Sequence, residues 1–118
     1  MKHPFLAVVD DAPQTVDVIR AALATVGYAS QGFEHGRAFL DHFHPATSGL
    51  ILGINMPVMN GYEVLAEMNR RTIVMPVVTM CAFTPEPQIQ KLLRSGSDNH
   101  LVKPFPMAVL LSIVQRIM

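Results

Sequence analysis

The chain has 118 residues, with nine basic and nine acidic side chains and no net charge at pH 7. Half of the residues are hydrophobic and only 15% are charged, which excludes a disordered chain and predicts one folded domain over residues 1–118. The balanced charge argues against direct binding to nucleic acid or to a membrane surface, because both need a basic excess. Proteins or a small ligand are the expected partners.

The cysteine content and the N-terminal segment bear on the compartment. Cys81 is the one cysteine of the sequence, so an internal disulfide is impossible. The apolar run at residues 5–9, FLAVV, is followed by two acids and is too short for a signal peptide core or a membrane span. These features predict a cytoplasmic protein.

The first half of the chain alternates strand and helix patterns. Residues 5–9 are typical of a buried strand, and Pro13 suits the first turn of a helix that ends at Gly27. Residues 28–33 predict a more polar strand near an edge of the sheet, and residues 36–43 predict a short helix.

The same alternation continues in the second half. Residues 50–53 form a short apolar run that stops at a turn rich in Pro and Gly, which predicts a central buried strand. Residues 61–71 predict a helix, and residues 76–81 predict a fourth strand. A brief last strand at residues 101–102 precedes a final helix that is opened by Pro106.

The fourth helix has a distinct N-terminal pattern. Thr84 is expected to cap it, with Pro85 and Pro87 in its first turn, where missing amide protons cost little. Gly96 is expected to end it. Its buried side is expected to carry the three apolar residues Ile89, Leu92 and Leu93.

Strands that alternate with helices, without hairpin turn signals, predict an α/β fold. Right-handed crossovers then give a three-layer, doubly wound, five-stranded parallel sheet. In such sheets the functional residues lie just beyond the carboxyl ends of the strands.

Five positions at strand ends therefore converge on one edge of the predicted sheet. Asp10 and Asp11 follow the first strand, Gly53 ends the third, Cys81 ends the fourth and Lys103 ends the fifth. Adjacent carboxylates repel each other, and a hard cation or an ammonium group beside them relieves the repulsion. Taken alone, Asp11 would be interpreted as a helix cap and Lys103 as a solvated charge. Their convergence favours a site.

Four sequence motifs carry a resemblance that covers essentially the whole chain. They are VVDD at residues 8–11, INMPVMNG at 54–61, TMCA at 79–82 and GSDNHLVKPF at 96–105. Together they resemble the receiver domain of two-component response regulators. The resemblance implies a flavodoxin-like fold with strand order 2-1-3-4-5, and phosphorelay signalling in which a histidine kinase phosphorylates an aspartate at the end of strand three.

The resemblance also implies roles for residues of this chain. Asp10 and Asp11 match the acids that bind Mg²⁺, the backbone carbonyl of Asn55 matches a further metal ligand, and Lys103 matches the lysine that pairs with phosphate. The bond between Lys103 and Pro104 is expected to be cis, which proline makes accessible.

Three positions depart from the family pattern. Gly53 stands at the phosphoacceptor position and has no nucleophile. Cys81 stands at the Thr/Ser switch position, and a thiol is a weaker hydrogen-bond partner for phosphate. His100 stands at the aromatic switch position.

With one anionic ligand missing, Mg²⁺ binding is expected to be weak. The sequence predicts an atypical receiver, not an enzyme, that acts independently of phosphorylation.

Several alternatives stay open from the sequence. Gly53 fits a natural degenerate receiver, an engineered block of phosphorylation, or a ligand that needs close backbone approach, and the concurrent change at Cys81 favours the first. A small-ligand-binding pseudo-receiver is a second functional hypothesis. A haloacid dehalogenase-like phosphatase is a weaker one, because that family has two acids separated by one residue, whereas Asp10 and Asp11 are adjacent.

The expected partners are proteins. A histidine kinase, an output domain, another signalling protein or a second copy of the chain would bind through the fourth helix, last strand and last helix, as receivers commonly do.

Overall fold

The structure is a computed structural model that describes residues 4–82 and 84–118. Strands and helices alternate with ends that differ by at most two residues from those predicted. None of the helices in these ranges is long and apolar enough to cross a membrane. The elements in chain order are β1 (Phe5–Val9), α1 (Pro13–Thr25), β2 (Ala29–Phe33), α2 (Gly36–His42), β3 (Gly49–Gly53), α3 (Gly61–Arg70), β4 (Val77–Cys81), α4 (Glu86–Arg94), β5 (Asn99–Val102) and α5 (Met107–Ile117).

The strands form one parallel sheet in the order β2-β1-β3-β4-β5, which confirms the predicted topology. β3 lies at the centre and is buried along its whole length, because helices cover both faces of the sheet. β2 lies at one edge and is only partly buried, as its polar sequence predicts.

Two apolar clusters form the core, one on each face of the sheet. On one face, α1 and α5 pack through residues such as Ile19, Leu23 and Leu110. On the other face, α2, α3 and α4 pack through residues such as Phe39 and Leu92. Each fully buried side chain of this size stabilises the fold by about 1.5–3 kcal/mol, so the two clusters hold the three layers together.

The register of the sheet places the ends of the strands side by side. Val9 is paired with Leu52, and Gly53 is paired with Met80. On the far side of β4, Cys81 is paired with the last residue of β5. The carboxyl ends of β1, β3, β4 and β5 therefore lie at one edge of the sheet.

The turn between β3 and α3 is tight and starts close to that edge. Asn60 caps α3 by accepting a hydrogen bond from the Glu63 amide at 3.0 Å, and the Glu63 carboxylate accepts one from the Asn60 amide at 3.0 Å. A Cβ atom at Gly61 would lie 2.4 Å from Ile54 Cδ1 and 2.9 Å from the Gly53 carbonyl oxygen. Glycine at position 61 therefore allows the start of α3 to lie against the end of β3.

The predicted N-terminus of α4 was wrong in two respects. Pro85 occupies the N-cap position, with no side-chain cap, and only Pro87 lies in the first turn. Thr84 instead directs its hydroxyl to His100. Leu93 was expected to be buried but is 40% exposed, because α4 packs through Leu92.

Candidate functional site

Five of the predicted site residues lie together at the carboxyl edge of the sheet, which we call the rim. It comprises Asp10 and Asp11 after β1, Gly53 at the end of β3, Cys81 at the end of β4 and Lys103 after β5. The Lys103 amide donates to the Cys81 carbonyl oxygen at 2.7 Å, which joins the ends of β4 and β5.

The rim contains an ion pair between Asp10 and Lys103. Lys103 Nζ lies 2.7 Å from Asp10 Oδ2. The Asp10 side chain is 2% exposed and that of Lys103 is 30% exposed, so the carboxylate is almost fully removed from water. Asp10 Oδ1 accepts a hydrogen bond from the Ala12 amide at 3.1 Å, at the start of α1. Both oxygens of this buried carboxylate are therefore satisfied within the protein.

The second acid, Asp11, is exposed, and its side chain interacts with that of Asp10. A side-chain hydrogen bond with Asp10, together with burial and the charge of Asp10, raises the pKa of Asp11 above its ordinary value of 3.8. Lys103 acts in the opposite direction but does not cancel the effect. The rim keeps an excess of negative potential at Asp11.

Gly53 leaves little room for a side chain at the end of β3. A Cβ atom at this position would lie 3.1 Å from Asp10 Oδ2 and 3.2 Å from Asp10 Cγ. The Val9 carbonyl oxygen would be 3.4 Å away. The Asp10 carboxylate would therefore have to move by a few tenths of an ångström to admit a Cβ atom at position 53.

Cys81 and Asn55 are linked across the rim. Asn55 Nδ2 donates a hydrogen bond to Cys81 Sγ at 3.2 Å, and the cysteine side chain is buried. The role expected for Asn55 from the family resemblance involved only its backbone carbonyl. The contact joins residues that are 26 positions apart, so it depends on the register of β3 and β4.

His100 lies away from the rim, on β5, and its ring is held by two hydroxyl groups. Nδ1 is 2.8 Å from Thr79 Oγ1 and Nε2 is 2.8 Å from Thr84 Oγ1. Sequence reasoning assigned His100 by resemblance and missed both partners. The pairing of Thr79 with His100 across β4 and β5 would have revealed the first, once the register was known.

The rim lacks most of the ligands that Mg²⁺, the ion implied by the family resemblance, would need. In the part of the chain that the structure describes, no group of three or more His, Cys, Asp or Glu residues could hold a metal ion. One carboxylate, Asp10, is already paired with Lys103, and Gly53 supplies no side-chain oxygen. The donor set fits a hard divalent cation poorly, because such ions need several oxygen ligands.

The loop beside the rim contains a strained residue. Val58 adopts φ 68°, in the left-handed region, and its side chain is fully exposed at 101%. This conformation costs an L-residue about 1–2 kcal/mol, and a β-branched side chain gains nothing in return when it faces solvent. On the other side of the rim, the bond between Lys103 and Pro104 is cis, as expected.

The chain has sequence relatives among known proteins. A profile of the response regulator receiver domain matches residues 6–115. The regulatory protein AtoC of Escherichia coli K12 is 31% identical over 114 residues, which cover 94% of this chain and 24% of AtoC. The response regulator SaeR of Staphylococcus aureus is 29% identical over 100 residues, which cover 85% of this chain and 44% of SaeR. The chain spans less than half the length of either relative.

Several solved structures have the same fold as this chain. The chemotaxis protein CheY4 of Vibrio cholerae superposes with a TM-score of 0.89 and 25% identity, over 99% of this chain and 100% of that one. A CheY-like receiver domain protein of Methanospirillum hungatei has a TM-score of 0.88 at 19% identity, over 98% of this chain and 93% of that one, which shows the shared fold alone.

The strand order, the converging rim and the profile match lead to one assignment. They favour the receiver resemblance over the haloacid dehalogenase alternative, because the profile covers nearly all of the described sheet and helices. The chain belongs to the response regulator receiver domain family of two-component systems.

Proposed function

We propose that this receiver domain signals through protein contacts and does not accept a phosphoryl group. The observation that carries the proposal is the glycine at position 53, which leaves the end of β3 without a carboxylate. Acyl phosphate formation needs a carboxylate nucleophile, and a glycine offers none.

The other rim residues support the same proposal. Lys103, which matches the phosphate-pairing lysine, is engaged with Asp10 at 2.7 Å. Cys81 offers a thiol at the switch position, and that thiol is held by Asn55. The acid and the lysine of the rim are therefore paired with each other in the absence of phosphate. This arrangement favours a single fixed state over a switch that depends on phosphate.

The proposed contact surface consists of α4, β5 and α5. Three apolar side chains are exposed on these elements: Leu93 is 40% exposed, Val102 is 43% exposed and Val109 is 42% exposed. We call these three residues the α4–β5–α5 surface. Apolar side chains that stay in contact with water lower the free energy of a complex when a partner covers them.

The proposed partners are signalling proteins. AtoC and SaeR carry the names of a regulatory protein and a response regulator, and a receiver domain is by family a signalling module and not a classical enzyme. A histidine kinase, an output domain or a second copy of the chain fits such a surface, and the proposal places the domain in the cytoplasm.

Intact-mass spectrometry after incubation with acetyl phosphate and Mg²⁺ tests the phosphoacceptor part. The native protein should gain no phosphate, Gly53→Asp should gain one, and Gly53→Asn should gain none although its side chain has a similar size. Because Asp10 would have to shift by a few tenths of an ångström to admit either side chain, both variants should be less stable than the native protein. Phosphate on Asp10 or Asp11 of the native protein would refute the proposal.

A pull-down from source cells tests the surface. Val102→Glu should release proteins that the native domain retains, because a charge there cannot be covered by an apolar partner. Val74→Glu is the matched control, since Val74 is 89% exposed and lies outside α4, β5 and α5. Equal retention by all three proteins would show that binding occurs elsewhere.

A further inference from the structure

Asn60 and Gly61 form an Asn-Gly pair, the one such pair in the sequence. Because glycine has no side chain, its amide nitrogen can approach the side-chain carbon Cγ of the preceding asparagine. A bond then forms between Gly61 N and Asn60 Cγ while the bond from Cγ to Nδ2 breaks, and the Gly61 amide proton leaves with Nδ2 as ammonia. Water opens the resulting succinimide ring, which gives aspartate or isoaspartate at position 60.

The other three asparagines of the chain lack this feature. Each is followed by a residue with a side chain, which hinders attack by the backbone nitrogen; they are Asn55, Asn69 and Asn99. In an unfolded chain, Asn60 is therefore the asparagine most open to deamidation.

The fold withholds the attacking nitrogen. The Gly61 amide donates a hydrogen bond to the Ile54 carbonyl oxygen at 2.9 Å, across the turn from β3 to α3. Gly61 is buried, and a Cβ atom there would lie 2.4 Å from Ile54 Cδ1. The start of α3 therefore has no room to shift towards β3, and the nitrogen can attack only after it leaves its acceptor.

The side chain that would be attacked is held as well. Asn60 Oδ1 accepts from the Glu63 amide at 3.0 Å, and the Asn60 amide donates to Glu63 Oε1 at 3.0 Å. These two bonds are the capping box of α3. Ring closure requires the Gly61 nitrogen to rotate into line with the Cβ atom of Asn60, and a ψ of 173° keeps it out of that position.

We propose that Asn60 is a deamidation site that the capping box of α3 protects, and that it reacts only in molecules whose first turn of α3 is open. The rate in the folded protein is then the rate in the unfolded chain multiplied by the open fraction. Glu63 acts as a positioning residue, because its amide and its carboxylate hold both ends of Asn60. The proposal goes beyond the proposed function and does not rest on it.

The two products would affect α3 differently. An aspartate at position 60 keeps an oxygen for the Glu63 amide and adds a negative charge at the N-terminus of a helix, which is favourable. An isoaspartate carries the backbone through Cγ and lengthens it by one atom, so the cap and the bond from Gly61 to Ile54 cannot both form. Isoaspartate would therefore loosen the junction between α3 and the strand that ends at Gly53.

Peptide mapping by mass spectrometry tests the protection on the native protein. The protein is incubated at mildly alkaline pH, both folded and unfolded in urea, and the conversion of Asn60 to the acid is followed over time. The folded rate should be lower by about tenfold or more, because three hydrogen bonds hold the closed turn. Equal rates in the folded and unfolded protein would overturn the proposal.

Three variants separate the capping box from the rest of α3. Glu63→Ala removes one bond of the box and should raise the folded rate about fivefold, whereas Glu63→Gln keeps an acceptor and should stay close to the native rate. Glu67→Ala is the matched control, since Glu67 pairs with Arg70 and Arg71 and lies beyond the first turn. Equal rates for Glu63→Ala and Glu63→Gln would overturn the proposal.

Hydrogen exchange of the Gly61 amide supplies a measurement that needs no variant. The opening that frees this nitrogen from Ile54 also exposes its proton to water. With increasing urea below the unfolding transition, the exchange rate and the deamidation rate should therefore rise by the same factor. A rise in exchange without a rise in deamidation would overturn the proposal. Neither readout uses phosphate or a partner, so both remain valid if the proposed function fails.

Discussion

At the rim, Asp10 and Lys103 satisfy each other as ions. Away from the rim, neutral donors and acceptors form a chain of hydrogen bonds that runs from Ser97 through Thr79 and His100 to Thr84, which we call the hydroxyl–imidazole chain. The rim is sensitive to the loss of either charge, because the partner is left buried and unpaired. The hydroxyl–imidazole chain is sensitive to the loss of a hydroxyl, because the neighbouring buried groups then lose a hydrogen-bond partner. The two regions lie on the same sheet, yet different perturbations should disturb them.

Loss of the Lys103 charge should give the largest effect. Lys103→Met leaves the Asp10 carboxylate, 2% exposed, without a counter-ion, and should lower the free energy of unfolding by about 2–3 kcal/mol. The estimate lies below the cost for a fully buried pair because the lysine is 30% exposed. Urea denaturation measures the change.

Two further variants test whether the loss of the ion pair explains that result. Lys91→Met removes a charge that lies 4.6 Å from the Tyr62 ring centre, and should cost less than about 1 kcal/mol. In the double variant Asp10→Asn with Lys103→Met, no buried charge is left unpaired, so part of the stability should return. If Lys103→Met were as stable as the native protein, the ion pair would not be what satisfies Asp10.

Loss of a hydroxyl should weaken the neutral region by a smaller amount. Thr79→Val removes the hydroxyl that lies between Ser97 and His100, and should lower the free energy of unfolding by about 2 kcal/mol. Thr25→Val is the matched control, since its exposed hydroxyl bonds within α1 and its loss should cost about 0.5 kcal/mol or less. Equal costs in thermal or urea unfolding would contradict the view that the buried chain supports the fold.

The sequence predicted the rim well because a parallel sheet fixes where strand ends meet. Once residues 5–9 and 50–53 are recognised as buried strands, Asp10 and Gly53 must lie near each other. The ends of the fourth and fifth strands placed Cys81 and Lys103 at the same edge, where the Lys103 amide donates to the Cys81 carbonyl oxygen.

The neutral region could not be predicted, because its contacts depend on tertiary register. Thr84 precedes two prolines and locally fits a helix cap, but its partner His100 is 16 residues away. Leu93 shares the apolar pattern of α4 with Leu92, but only Leu92 reaches the core. The helical period of apolar residues predicts which face of a helix is buried. It does not predict how wide the neighbouring surface is that covers this face.

A substitution in the loop beside the rim is expected to stabilise the fold. Val58→Asn should raise the free energy of unfolding by about 0.5–1 kcal/mol, because asparagine tolerates φ 68° better than valine does. Val74→Asn, at an exposed valine that is not among the positive-φ residues, should give no gain. A gain for both variants would indicate a general effect of replacing exposed valines, and not relief of strain.

The smallest expected effect is that of Mg²⁺ on the rim. Asp10, Asp11 and Lys103 sum to a charge of −1, and a Gly53→Asp variant would bring the sum to −2. Affinity in sites built of oxygen ligands follows the ligand charge, so the native protein should bind Mg²⁺ more weakly than the variant, with a dissociation constant of about a millimolar or higher.

The ion must also compete with Lys103, which holds Asp10 Oδ2 at 2.7 Å without any metal. At a Mg²⁺ concentration equal to the dissociation constant, binding would stabilise the fold by only about 0.4 kcal/mol, which is close to the error of an unfolding experiment. Isothermal titration calorimetry of the native protein and Gly53→Asp is therefore the better measurement. A sub-millimolar affinity in the native protein would mean that Asp11, with its raised pKa, and the exposed Asn55 form a cation site that does not need Asp10 to leave its lysine.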